Sequence, residues 1–164
     1  MYEGPSLSKT MASSLPSARA ERILRTDFGV LRKKQTDNTG NCFFDSVKKS
    51  ADLAQTMEQL RTDASNSINP ALQADQEWLE PFIVGHGTPQ QKLTELQTKV
   101  RQDRYWAGRA GDFVPYMMAR ALDRAIYILS GYTGKLITVA GDGPNPIYVF
   151  YNGANHYEAS ERVE

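Results

Sequence analysis

The chain has only one cysteine and two histidines. A single cysteine cannot form an internal disulfide, so the fold does not depend on an oxidising compartment. The same scarcity excludes a zinc site built from cysteine and histidine. Net charge is lacking as well, because 19 basic residues balance 19 acidic ones. With no basic field and no block of like charge, no nucleic-acid or anionic-membrane partner is expected. Long apolar runs are also missing. Stretches such as Ala125-Ile126-Tyr127-Ile128-Leu129 are far too short to cross a bilayer, and no secretory-type apolar stretch opens the sequence. The expectation is a soluble, monomeric protein of the cytosol.

What is present suits one domain of 164 residues, long enough to bury a real core. Residues 1–25 are rich in serine, include Gly4, Pro5 and Pro16, and show no sustained apolar period. They read as a flexible N-terminal arm, and residues 26–164 as the folded domain. Gly29 to Gln35 suggests a short strand. Asn38-Thr39-Gly40-Asn41 is a turn, after which Phe44, Val47, Ala51 and Ala54 recur at helical spacing from Cys42. Met57, Leu60, Ala64 and Ile68 mark a second helix. A third surrounds Leu72, Trp78 and Leu79 and stops at Pro81. Thr88-Pro89-Gln90-Gln91 is a capping box with proline at the first helical position, leading to Leu93, Leu96 and Val100. Asp112 is expected to cap the next helix, which places Pro115 in its first turn.

The period then shortens. Ala125 to Leu129, Leu136 to Val139 and Ile147 to Tyr151 are rich in branched and aromatic residues and bounded by glycine or proline. Gly141-Asp142-Gly143 reads as a hairpin turn between two of them. Helices first and strands last imply an α+β fold, with a small, mostly antiparallel sheet packed between helices.

Two residues stand out chemically. Cys42 lies where a glycine turn becomes a helix, and unpaired amides at a helix start both lower a thiol pKa and can hold an oxyanion. Gly40 would let the backbone approach a substrate closely. A lone cysteine is nevertheless most often a small buried hydrophobe. His156 follows a strand and the turn Asn152-Gly153-Ala154-Asn155. On an extended segment residues two apart share a side, so Glu158 can accept from its ring. The competing reading is an ordinary surface histidine at a strand end. His86, between two glycines, has no such partner.

Taken in order, these residues resemble the ovarian-tumour (OTU) family of cysteine proteases. Thr39-Gly40-Asn41-Cys42-Phe43-Phe44-Asp45-Ser46-Val47 is similar to the family's nucleophile motif, Tyr105-Trp106-Ala107 to its Trp-Gly segment, and Asn155-His156-Tyr157-Glu158 to its histidine motif. The resemblance spans about residues 28 to 160. It implies a papain-like fold and a thiol-dependent deubiquitinase acting on ubiquitin, polyubiquitin or a ubiquitin-like modifier. Cys42 would then be the nucleophile, His156 its base, and the amides of Thr39, Gly40, Asn41 and Cys42 the oxyanion hole. Thr39 stands where the family carries an aspartate. The third catalytic residue would be Glu158 or, from upstream, Asp37. Trp106 would wall the slot for the modifier's terminal glycines, with Asp103, Asp112 and Glu158 as acids for its basic tail. The helices between about residues 55 and 102 would bind the modifier's body. A compact domain with divergent motifs is compatible with a bacterial or viral effector acting in a host cytosol. Two alternatives stay open: a non-catalytic ubiquitin-binding module, or another acyl-transfer enzyme using a Cys-His pair.

Overall fold

The computed structural model describes residues 22–83 and 85–163. Most of the expected arm therefore lies outside the described residues, but its end does not. Ile23–Thr26 is a strand (β1) paired antiparallel with β2, Gly29–Lys34, so the folded domain starts before residue 26. Four short, alternating residues carry too little periodicity to separate from an irregular terminus until their partner strand is known.

Among the described residues five α-helices follow: α1 (Cys42–Ala51), α2 (Met57–Asn66), α3 (Gln73–Leu79), α4 (Pro89–Arg101) and α5 (Ala110–Leu122), with a 3-10 turn, Glu80–Phe82, after α3. Thr56 and Thr88 each accept from the backbone N–H of the glutamine three residues on, and that glutamine side chain accepts from the threonine N–H. These reciprocal caps set the starts of α2 and α4. The start of α5 differs from expectation. Arg109 is its N-cap and Asp112 sits inside its first turn, ion-paired to Arg109 at 3.0 Å. Pro115 therefore lies within the helix, where it removes the bond to the Gly111 carbonyl.

Strands β3 (Ile126–Ser130), β4 (Leu136–Ala140), β5 (Ile147–Tyr151) and β6 (Tyr157–Arg162) complete a six-stranded sheet of order β1-β2-β6-β5-β3-β4. The sheet is mixed, which corrects the expectation of a mostly antiparallel one. Within it β3 and β5 run parallel, Ile126 beside Ile147 and Ser130 beside Tyr151. The cause is the segment after β4. Gly141-Asp142-Gly143 is not a hairpin turn. It folds back under the start of β3, where Ala125 N–H donates to the Gly143 carbonyl and Ile147 N–H to the Ala125 carbonyl. The chain thereby crosses to the other side of β3 before β5 begins. A Cβ on Gly143 would lie 2.4 Å from the Asp123 carbonyl oxygen, so this crossing requires glycine.

Among the described residues the helices pack on one face of the sheet, not on both as expected. Phe43, Phe44, Val47, Met117, Met118, Ile126, Ile128, Val149 and Tyr157 form one buried cluster. Strand alternation sends Leu129 and Phe150 to the opposite face, where they meet Leu31, Leu24, Phe28 and Tyr148 in a smaller cluster. The helix face holds the candidate site, because α1 packs its first turn directly on β6.

Candidate active site

Residues 35–41 run from β2 to α1 as a loop folded tightly on itself. Asp37 N–H donates to Asp45 Oδ2 at 2.9 Å, Asn41 N–H to Thr39 Oγ1 at 3.2 Å, and Cys42 N–H to the Thr39 carbonyl at 3.1 Å. Asn41 occupies the N-cap position of α1, yet its side chain makes no cap bond. It is engaged elsewhere. Its Oδ1 accepts from Arg61 Nε (2.9 Å), Arg61 Nη2 (2.7 Å) and Arg104 N–H (3.1 Å), and its Nδ2 donates to Asp103 Oδ1 at 2.9 Å.

Arg61 is the centre of this arrangement. Only 1% exposed, it also donates to the carbonyls of Val100 (2.8 Å), Gly40 (3.0 Å) and Tyr105 (3.0 Å), and its guanidinium lies 4.5 Å from the Phe44 ring centroid. Burial pushes its pKa down and the charge of Asp103 pulls it back up. A planar fork with several fixed donors suits this task, because each loop carbonyl needs a partner once buried. Gly40 is required for the same packing. A Cβ there would stand 1.8 Å from the Arg104 carbonyl oxygen, and Arg104 itself takes a left-handed φ of 67°. The close approach at Gly40 is thus made by the chain's own 103–105 loop.

Cys42, the first residue of α1, is 4% exposed. Its Sγ accepts from Tyr157 N–H at 3.5 Å, which places the thiol one residue from His156. Burial pushes the thiol pKa up; the amides of Tyr157 and Phe43 pull it down, while the Asp37 carboxylate raises it. The net direction is upward, opposite to the low value expected for an activated thiol. The amides of Asn41 and Cys42, expected in an oxyanion hole with those of Thr39 and Gly40, are turned inward to Thr39.

His156 is half-buried at the entry of β6. Its N–H donates to Asn152 Oδ1 at 3.1 Å, the same oxygen that takes the amides of Ala154 and Asn155 at 2.9 Å. Its ring Nε2 lies 3.5 Å from Thr36 Oγ1. No hydrogen bond links the ring to the Cys42 thiol. Burial lowers the imidazole pKa, the Glu158 charge raises it, and Arg22 lowers it.

The two candidates for a third residue are placed differently from expectation. Glu158 stands opposite Phe150 in the ladder, on the sheet face away from α1. There Arg22 Nη1 donates to both of its carboxylate oxygens, at 3.1 and 2.9 Å, while Arg22 Nη2 donates to the Lys33 carbonyl. Glu158 consequently acts on His156 through charge and makes no hydrogen bond to it. Asp37 is exposed and acts on Cys42, not on His156. Trp106 is half-buried against Phe43 (5.5 Å between centroids) and Tyr157 (5.8 Å), so one part of its ring supports the core beneath the site. Asp103 and Asp112 are exposed, each beside an arginine.

Sequence reasoning missed Arg61, Arg22 and Thr36. Arg61 had a signal: it stands among Met57, Leu60, Ala64 and Ile68 on the apolar stripe of α2, where a charged residue needs buried partners. Arg22 and Thr36 had none, because their partners lie more than a hundred residues away in the chain.

No protein-family model matches the sequence, and no curated protein matches it either. Solved structures do match. The chain is similar to the OTU domain of OTUD1 (20% identity, TM-score 0.57, covering 80% of this chain and 85% of that one). It is similar to an OTU deubiquitinase from Wolbachia pipientis wMel bound to ubiquitin (15%, TM-score 0.58, 80% and 96%). It is also similar to the Hazara virus OTU bound to ubiquitin (16%, TM-score 0.55, 82% and 82%). The protein thus has the fold of OTU domains.

Proposed function

We propose that the protein is a cysteine deubiquitinase, hydrolysing the bond after the C-terminal glycine of ubiquitin or a ubiquitin-like modifier. One observation carries the reading: Cys42 opens α1 with the Tyr157 amide on its sulfur and His156 next in the chain, in a fold shared with ubiquitin-bound OTU proteins. In this mechanism the thiol proton passes to His156 as Sγ bonds to the glycine carbonyl carbon, and the carbonyl electrons move to oxygen. Collapse of that adduct breaks the bond to the lysine amine, which leaves with the proton from the imidazolium. Water then attacks the thioester, giving its proton to His156. The modifier leaves as a carboxylic acid and the thiol is restored. No cofactor enters.

Two features of the resting site must change for this chemistry. The ring has to close on the thiol, a contact that often tightens only with substrate bound. The Cys42 amide has to exchange the Thr39 carbonyl for the oxyanion. Exposed Asp37 is open to a basic modifier tail; Asp103 and Asp112 are exposed but paired with Arg104 and Arg109, and Glu158 with Arg22. A second reading, a ubiquitin-binding module without turnover, draws support from the raised thiol pKa and the missing thiol–imidazole bond. A ubiquitin carrying a C-terminal electrophile separates the two. An adduct on the wild type, absent from Cys42→Ala and His156→Ala, supports the enzyme. Binding without adduct would leave only the module.

A further inference from the structure

The hydroxyl of Thr36 lies between two groups of the histidine strand. Its Oγ1 is 2.5 Å from the Tyr157 carbonyl and 3.5 Å from His156 Nε2. A threonine hydroxyl has one proton and two lone pairs. The short contact is to a carbonyl, which can only accept, so the proton is spent there. What faces the imidazole is therefore a lone pair, and a lone pair calls for N–H on Nε2. In the neutral ring the proton then resides on Nε2, and Nδ1 is left as the basic nitrogen. The 3.5 Å separation is long against the usual range of about 2.7–3.2 Å, so the contact orients the ring more than it binds it. Among the described residues no other group hydrogen-bonds the ring, and Glu158 reaches it by charge alone.

We infer that Thr36 is the positioning residue of His156: its hydroxyl, held by the Tyr157 carbonyl, fixes the Nε2–H tautomer and leaves Nδ1 to take the thiol proton. The inference rests on the deubiquitinase reading for its catalytic meaning. It replaces the carboxylate expected on the second ring nitrogen by a neutral hydroxyl from the β2–α1 loop, with Glu158 contributing charge from a distance. A neutral acceptor sets the tautomer without adding a second negative charge beside a thiol that Asp37 already disfavours as thiolate.

The test uses the full chain and the pair Thr36→Val and Thr36→Ser. Valine keeps the shape and loses the hydroxyl; serine keeps the hydroxyl. Long-range proton–nitrogen spectra read the ring tautomer directly, about one unit above the usual histidine pKa of about 6.5. Assignment is simple because the only other histidine is His86. The wild type and Thr36→Ser are expected to show Nε2–H, and Thr36→Val a shift toward the other tautomer. In turnover of a fluorogenic ubiquitin amide, Thr36→Val should lose kcat by about ten- to a hundredfold, a part of what a general base contributes. KM should stay near wild type, and Thr36→Ser should restore the rate. A wild-type ring protonated on Nδ1, or a Thr36→Val variant with unchanged tautomer and kcat, overturns the inference. A wild type that turns over no ubiquitin substrate sinks the proposed function instead, and the ring spectra still decide whether Thr36 sets the tautomer.

Discussion

The two halves of the site are held by different forces. On the cysteine side, Gly40 and Asn41, which lead into Cys42, are locked to the 103–105 loop and to α2 by the buried Arg61, with bonds of 2.7 to 3.1 Å throughout. On the histidine side, the backbone is pinned by Asn152, but the ring meets one long contact at Thr36 and two opposed charges, Glu158 and Arg22. The Cys42 side is therefore positioned by hydrogen-bond satisfaction in a dry interior, where any loss is costly. The His156 ring is positioned weakly and tuned electrically.

That contrast can be broken most severely at Arg61. Arg61→Met should remove about 3–5 kcal/mol of stability, since the Val100, Gly40 and Tyr105 carbonyls and Asn41 Oδ1 lose a buried donor. Urea denaturation measures it; a loss below about 1 kcal/mol would mean that water replaces the guanidinium freely. Gly40→Ala comes next. The clash with a backbone carbonyl predicts a cost of about 1–3 kcal/mol, together with loss of probe labelling as the loop shifts. Normal labelling at normal stability would show that the 103–105 loop yields easily.

Substitutions on the histidine side should leave stability nearly unchanged and move titration instead. Glu158→Gln removes an anion that favours the imidazolium, so the His156 pKa falls further below its usual value. Arg22→Gln removes a cation and frees the Glu158 carboxylate, so it rises. Proton NMR titration reads both, and shifts of the same sign would contradict the placement of this pair. The smallest effect concerns pH and stability. The folded Cys42 pKa is raised, so the folded state holds that proton more tightly. The associated stability is complete below the unfolded thiol pKa of about 8.5 and is lost as pH rises through the folded value. For His156, lowered by burial, it is complete above about pH 6.5 and lost as pH falls through the folded value. Urea denaturation across pH should show Cys42→Ala with a flatter alkaline limb than the wild type, and an equal limb would argue that the thiol is not desolvated.

The sequence alone determined the parts that depend on near neighbours. The helix beginning at Cys42, the capping box at Thr88, and the short strands of the last third all follow from local spacing and turn chemistry, because a helix or strand is specified by which residues recur every three to four or every two positions. The cysteine and histidine could be singled out from their settings at a turn and a strand end. What only the tertiary structure decided are the pairings between distant segments: the parallel β3–β5 pair, Arg61 beneath the Gly40–Cys42 loop, Arg22 on Glu158, and Thr36 on His156. Chain proximity made Glu158 the natural partner of the histidine, but Arg22 donates to both of its oxygens, and a carboxylate pairs with the nearest cation it can reach. A neutral hydroxyl is not drawn off by a cation in this way, and the loop carries Thr36 to both the Tyr157 carbonyl and the ring.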